Sequence, residues 1–286
     1  MSALSVIEIG IDPTIELGPV TLAWHGITIA LGIVVGGVAT ARYARERGLD
    51  LERLSTLGLL LVVCGIVGAK VLYLIENGDI ADPREWLGTR GFSLNGGVVL
   101  VAVAIGVYIR REQLSLRYLD AVAVGFALGL GVGRIGDVIN GEHYGPPSDF
   151  FLAVRNTHPQ ADTPDPAVAF HSGGLYEVLL GTAIFALLWP LRQRFYRPTV
   201  LLWAVIALYA VGRFVESFFR LDSAALALGL SGPQWTSVLL LLVAGLGALW
   251  ARARYSTREG EPMEGAAPQS PATASDPWVQ SATKSS

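Results

Sequence analysis

The chain alternates long apolar runs with short charged ones. A bilayer span needs about 20 mostly apolar residues. Seven runs approach that length, at about 20–41, 54–75, 93–109, 118–136, 173–191, 199–219 and 235–251. Helices of soluble proteins carry a polar stripe at the 3.6-residue period. These runs mostly lack one, so each reads as a helix surrounded by lipid or by other helices. The third is short and holds Gly96 and Gly97. Between the fourth and fifth runs, residues 146–172 carry Pro146, Pro147, Pro159, Pro164 and Pro166 without helical period, which predicts an irregular loop capping one end of the bundle. From 259 onward Gly, Pro, Ser, Thr and Ala dominate, the composition of a disordered tail. The expectation is an all-α, polytopic membrane protein: a seven-helix transmembrane domain over 1–258 and a tail over 259–286.

Composition agrees. Hydrophobic residues make up 52% of the chain and charged residues 16%, with mean hydropathy +0.48; soluble domains carry about a quarter charged residues. Charge also orients the spans, because Lys and Arg collect on the cytoplasmic side. Arg42, Arg45, Arg47 and Arg53 follow the first run; Arg110, Arg111 and Arg117 follow the third. Arg192, Arg194 and Arg197 follow the fifth, and Arg252, Arg254 and Arg258 the seventh. The opposite ends carry Glu8, Asp12, Glu16, Glu76, Asp79, Asp82, Glu85, Glu142, Asp149, Asp162 and Asp165. This alternation predicts an external N-terminus, a cytoplasmic C-terminus and an extracytoplasmic, periplasmic cap. The first 19 residues have no basic leader and do not read as a secretory signal. The single cysteine, Cys64, lies in an apolar run and reads as a packing residue.

Ionisable side chains inside spans are costly and mark function. Here they gather at the outer ends of the runs. Arg134, Asp137 and Glu142 close the fourth. Tyr176 and Glu177 open the fifth. Arg213, Glu216 and Arg220 close the sixth at i, i+3 and i+7, one stripe of a helix. Gly125, Gly129 and Gly133 repeat every four residues, the spacing that lets helices approach closely in lipid. Guanidinium forks at this depth suit a phosphate, and the anion at hand in a lipid bilayer is a phospholipid headgroup. Gly96 and Gly97 would let a backbone approach such a ligand, with Asn95 beside them as a hydrogen-bonding group.

These residues resemble a known family. "GRIGDVINGEHYG" (133–145) looks like the signature of the bacterial prolipoprotein diacylglyceryl transferases, roughly G-R-x-G-N-x-x-N-x-E-x-x-G, matched at Gly133, Arg134, Gly136, Asn140, Glu142 and Gly145. "AWHGITIALG" (23–32), "FSLNGG" (92–97), "HSGGLYE" (171–177), "GRFVESFFRLD" (212–222) and "PQWTS" (233–237) are similar to further family segments in the same order. Some positions depart from the pattern. His25 stands where the family commonly has Tyr, Asn95 where many members have His, and Asp137 where the signature has Asn. Ser172-Gly173-Gly174 replaces Pro-Ser-Gln, and Glu216 lies three residues after Arg213 rather than four.

The resemblance implies a multi-pass enzyme of the bacterial inner membrane. It would move the diacylglyceryl group of phosphatidylglycerol onto the lipobox cysteine thiol in a prolipoprotein signal peptide and release glycerol 1-phosphate. No cofactor, no metal and no nucleic-acid partner are expected. The nucleophile belongs to the peptide, so the protein must activate a thiol and stabilise a departing phosphate. Arg134 and Arg213 are assigned to the phosphate, with Arg220 a weaker candidate; Asn140, Gly96 and Gly97 could add hydrogen bonds. Glu142 is the first candidate base, with His25 and His171 as alternatives. Asp137, Gly145, Tyr176 and Glu216 complete the expected binding set. Two other classes stay open at this point: a non-catalytic phospholipid- or lipoprotein-binding homologue, and a small-solute transporter.

Overall fold

The computed structural model describes residues 6–77, 80, 82, 85–86, 91, 93–221 and 225–255; the expected tail lies outside them. Among the described residues the α-helices that can be bounded are α1 (Trp24–Glu46), α2 (Leu51–Asn77), α3 (Leu94–Arg111), α4 (Arg117–Gly133), α5 (Ile135–Asn140), α6 (Gly173–Leu191), α7 (Val200–Glu216) and α8 (Gly232–Arg254). Six helical stretches among the described residues are long and apolar enough to cross a membrane, with α4 and α5 counted as one, Arg117–Asn140. The 18-residue α3 is a further long helix beside them. Large apolar side chains such as Val38, Leu59, Val99 and Leu246 stand exposed on these helices, as a surface solvated by lipid requires. The chain is a mostly helical, polytopic membrane protein.

Two small sheets correct the all-α expectation. Strands β1 (Ile7–Ile9), β5 (Val154–Asn156), β6 (Phe170–Ser172) and β4 (Tyr144–Pro147) form one sheet in that order. Strands β2 (Thr14–Leu17) and β3 (Val20–Ala23) form a hairpin turned at Gly18, whose φ is +63°, and β3 runs straight into α1. The 146–172 segment is therefore not irregular throughout. It supplies two three-residue strands, too short to show a period over the 11–18 residues that sequence patterning needs. On one side β5 pairs in parallel with β1, from near the N-terminus (Ile7 opposite Val154).

Glycines set how closely the helices pack. Gly32 and Gly36 of α1 face Gly129 and Gly125 of α4 so tightly that a Cβ on Gly36 would lie 2.7 Å from the Gly125 carbonyl oxygen. On its opposite face α4 meets α6 in the same way. A Cβ on Gly181 would lie 2.7 Å from both the Ala127 oxygen and the Gly131 nitrogen. Helix α4 is thus central. Gly68 and Gly65 of α2 meet Gly96 and Gly97 of α3 backbone to backbone. These last two glycines therefore join helices, and the ligand approach expected of them is not where the structure uses their missing side chains. Helix α3 runs through them without interruption.

At the other end of the bundle a buried carboxylate does the work of a cap. Helix α7 has no side-chain cap of its own. Asp120 of α4 accepts the backbone N–H of Thr199 at 2.8 Å and of Leu202 at 2.9 Å, tying α7 to the central helix.

Two outcomes follow. Gly36→Ala should lower thermal stability in detergent by about 1–3 kcal/mol through overpacking, while Gly37→Ala, on the same helix with open space around it, should be nearly neutral. Asp120→Ala should cost about 1–3 kcal/mol by leaving two buried donors unpaired, measured by thermal unfolding of the purified protein.

Candidate active site

The polar residues meet where α1 and α6 begin and where α5 and α7 end. Three local features bring them there. Helix α4 stops at Gly133, and Arg134 joins it to α5, which presents Asp137 and Asn140. Gly141, with φ +74°, ends α5, and His143 follows at φ +57°; two left-handed residues in three fold Glu142 and His143 back over the helix. Strand β6 runs directly into α6, where the Ser172 hydroxyl accepts the Leu175 N–H at 3.2 Å. This sets Tyr176 and Glu177 in the first turn.

Seven side chains close into a ring of opposite charges. Arg134 bonds Asp137 through Nη1 at 2.5 Å and meets Glu177 through Nε. Glu177 faces Arg213 at 3.1 Å, and Arg213 holds Glu216 at 2.7 Å. Glu216 accepts from Arg220 at 3.2 Å. Arg220 lies 2.8 Å from His143 Nδ1, and His143 Nε2 lies 3.8 Å from Asp137, closing the circuit. The Glu177 oxygens face both guanidiniums at ion-pair distance without hydrogen-bond alignment.

Burial gives the ring a polarity. The side chains of Asp137, Glu177 and Glu216 are 0, 1 and 3% exposed, whereas those of Arg134 and Arg213 are 25 and 18% exposed. The acids sit underneath and the accessible edge is guanidinium. Each arginine is held by carboxylates behind it and still offers N–H groups forward. Arg220 is buried with the acids, so it is not a headgroup-seeking interfacial arginine.

The other predicted residues fall around this ring. His25, in the first turn of α1, lies 2.6 Å from Asp137 and 3.5 Å from Glu142 through Nδ1. Glu142 accepts from Asn140 Nδ2 at 2.8 Å and is not the partner of Arg134. His171 Nδ1 lies 2.5 Å from the Tyr176 hydroxyl, and both rings pack on Phe219. Burial pushes the His171 imidazole below its ordinary value. Gly145 lets β4 lie against the Phe219 carbonyl, and a Cβ there would collide with it. Gly96 and Gly97 sit in the α2–α3 seam instead; Asn95 begins the same helix, and its side chain lies outside the described part.

Two residues join the ring that the motif alone does not assign. Glu177 bridges the two arginines, and a signal exists for it, because a carboxylate inside an apolar run is expensive unless paired. His143 links Arg220 to Asp137.

His25, Asp137 and Glu142 are also the one group of His and acidic donors among the described residues close enough to share a cation, with donor atoms within 4.8 Å of one another. Asp137 already spends one oxygen on His25 and the other on Arg134. A guanidinium beside the site opposes a cation, so the group reads as a hydrogen-bonded set.

This geometry can bind an anion and place a base beside it, and comparison with known proteins points the same way. Residues 13–250 match the sequence profile of the family described as prolipoprotein diacylglyceryl transferase. A phosphatidylglycerol–prolipoprotein diacylglyceryl transferase of Thermosynechococcus vestitus is 32% identical over 264 residues, covering 87% of this chain and 94% of the relative. Proteins of the same name are 34% identical in Paenarthrobacter aurescens, over 80% of this chain and 78% of the relative, and 32% identical in Geobacillus kaustophilus, over 84% and 94%. The chain belongs to the prolipoprotein diacylglyceryl transferase family.

Proposed function

We propose that the protein transfers the diacylglyceryl group of phosphatidylglycerol to the lipobox cysteine thiol in a prolipoprotein signal peptide, releasing glycerol 1-phosphate. The observation that carries this reading is the polarity of the ring. Three buried carboxylates hold Arg134 and Arg213 so that their accessible edge is cationic and already oriented. Prearranged donors of this kind stabilise charge as it develops, without reorganisation.

In the reaction the thiol loses its proton to a base, and sulfur attacks the terminal glyceryl carbon. The S–C bond forms as the C–O bond to phosphate breaks. The electron pair stays on the phosphate oxygen, where Arg134 and Arg213 receive the added charge. Arg220 positions His143 and Glu216 behind them. Asn140 orients Glu142, and Tyr176 and His171 line the entrance with Phe219. No cofactor enters this scheme. Family membership and the arginine-rich ends of alternate helices support α3 as a seventh span. They also support a bacterial inner-membrane location with the site and its sheet cap on the periplasmic side, the N-terminus outside and the C-terminus in the cytoplasm.

The test is transfer of labelled diacylglyceryl from phosphatidylglycerol to a lipobox peptide by purified protein. Arg134→Ala should lower transfer at least 100-fold, the effect of losing a charge-assisted contact of about 3 kcal/mol; near-normal transfer would overturn the assignment. Glu177→Gln should both lower transfer and destabilise the folded protein by roughly 3–5 kcal/mol, since it leaves two partly buried guanidiniums short of a counter-charge. Unfolding temperature and transfer rate measure the two effects separately.

A further inference from the structure

We propose that His25 and Asp137 act as one unit, Asp137 fixing the His25 imidazole so that its Nε2 takes the proton from the acceptor thiol. This rests on the transfer reaction above and assigns its base.

The geometry defines the tautomer. Asp137 is fully buried and Arg134 holds one of its oxygens at 2.5 Å, so it is an ionised carboxylate with only acceptors to offer. The other oxygen lies 2.6 Å from His25 Nδ1. That nitrogen must therefore carry the hydrogen and donate it, which leaves the lone pair on Nε2. Glu142 approaches the same Nδ1 edge, at 3.5 Å, so both carboxylates crowd one side of the ring. The imidazole is 39% exposed and open to a substrate.

The backbone holds the pair in register. Thr28, one turn after His25, donates to the Gly133 carbonyl at 2.8 Å and accepts the Gly136 N–H at 3.0 Å. Gly136 itself lies against the His25 backbone, where a Cβ would approach the His25 Cα to 2.5 Å. The start of α1 is thus stapled to the α4–α5 joint that carries Asp137. The charged groups around His25 are Asp137 and Glu142 on the Nδ1 side of the ring, with Arg134 on the far oxygen of Asp137.

The sequence departures take on a meaning together. The family this chain resembles commonly has Tyr where His25 stands, and its signature has Asn where Asp137 stands. His25 and Asp137 touch. An Asn beside His25 would not dictate its tautomer, because an amide both donates and accepts; an Asp does. In the reaction the thiol proton passes to Nε2 and the thiolate displaces glycerol phosphate. The imidazolium, stabilised by Asp137, then returns its proton to the phosphate product or to water.

The experiment compares His25→Gln, Asp137→Asn and the double variant in nanodiscs containing phosphatidylglycerol, with kcat and KM followed against pH. A second acceptor peptide carries a selenol, ionised at neutral pH, in place of the thiol. Wild type should show an acid limb in kcat that His25→Gln removes. His25→Gln should lower kcat for the thiol by about 100-fold or more, with KM for phosphatidylglycerol little changed. Asp137→Asn should lower kcat and move the limb. The double variant should be no worse than His25→Gln, and the selenol peptide should recover most of the loss in both single variants. Equal losses with thiol and selenol, or additive losses in the double variant, would overturn the dyad, as would a His25→Gln enzyme within threefold of wild type. Asp137→Asn is nearly isosteric and serves if His25→Gln does not fold. Wild-type protein that forms no labelled peptide would instead remove the transfer reading on which the dyad rests.

Discussion

Three carboxylates buried at the end of an apolar helical bundle impose the strictest demand on this structure. Asp137, Glu177 and Glu216 have almost no contact with solvent, and an unpaired charge in such surroundings is expensive. Each must find a guanidinium or an imidazole; Asp137 and Glu216 pair locally with Arg134 and Arg213, while Glu177 of α6 must reach both arginines on other elements. Arg134 at the α4–α5 joint, Arg213 at the end of α7 and Arg220 just beyond it are all needed within one ring. The helix ends must therefore meet closely, which the glycine seams permit. With side chains at Gly36, Gly129 or Gly181 the helices would stand further apart, and the ring would open.

The same demand produces the chemistry. Charge balance within the ring is local, but exposure is not. The acids lie beneath and the guanidinium edges lie above, so a site with little net charge still presents a positive face. Because carboxylates already hold the arginines, binding an anion does not require ordering long side chains, whose rotamer entropy would otherwise be lost. The small sheet and the start of α6 pack beside the ring. Gly173 at the start of α6 lies against Glu216 and Arg220, and Gly145 of β4 lies against the Phe219 carbonyl. These elements thus touch the ring and the aromatic group of His171, Tyr176 and Phe219.

Much of this was legible in the sequence, for physical reasons that hold over short distances. Lipid requires long apolar runs, so the helices announced themselves. The four-residue spacing of Gly125, Gly129 and Gly133 marked α4 as a helix that others approach. Arg134 with Asp137, and Arg213 with Glu216, are three residues apart, so their pairing followed from spacing alone. The strands did not announce themselves, being three or four residues long, and β1 finds β5 across about half of the chain. Gly96 and Gly97 show a limit of sequence alone, because a glycine pair does not say whether its free space admits a ligand or another backbone; in the structure it admits Gly68 and Gly65 of α2.

The sequence by itself determined that this is a membrane bundle with arginines and acids at one end, and that those residues resemble a phosphatidylglycerol-dependent transferase. Hydropathy, i to i+4 spacing and motif order are properties of contiguous chain. Only the tertiary structure decided that Glu177 bridges Arg134 and Arg213, that His143 closes the ring, and that His25 meets Asp137 rather than standing alone. Those contacts join parts of the chain far apart in sequence, and the partner of a buried charge depends on which helix ends come together, something no local pattern encodes.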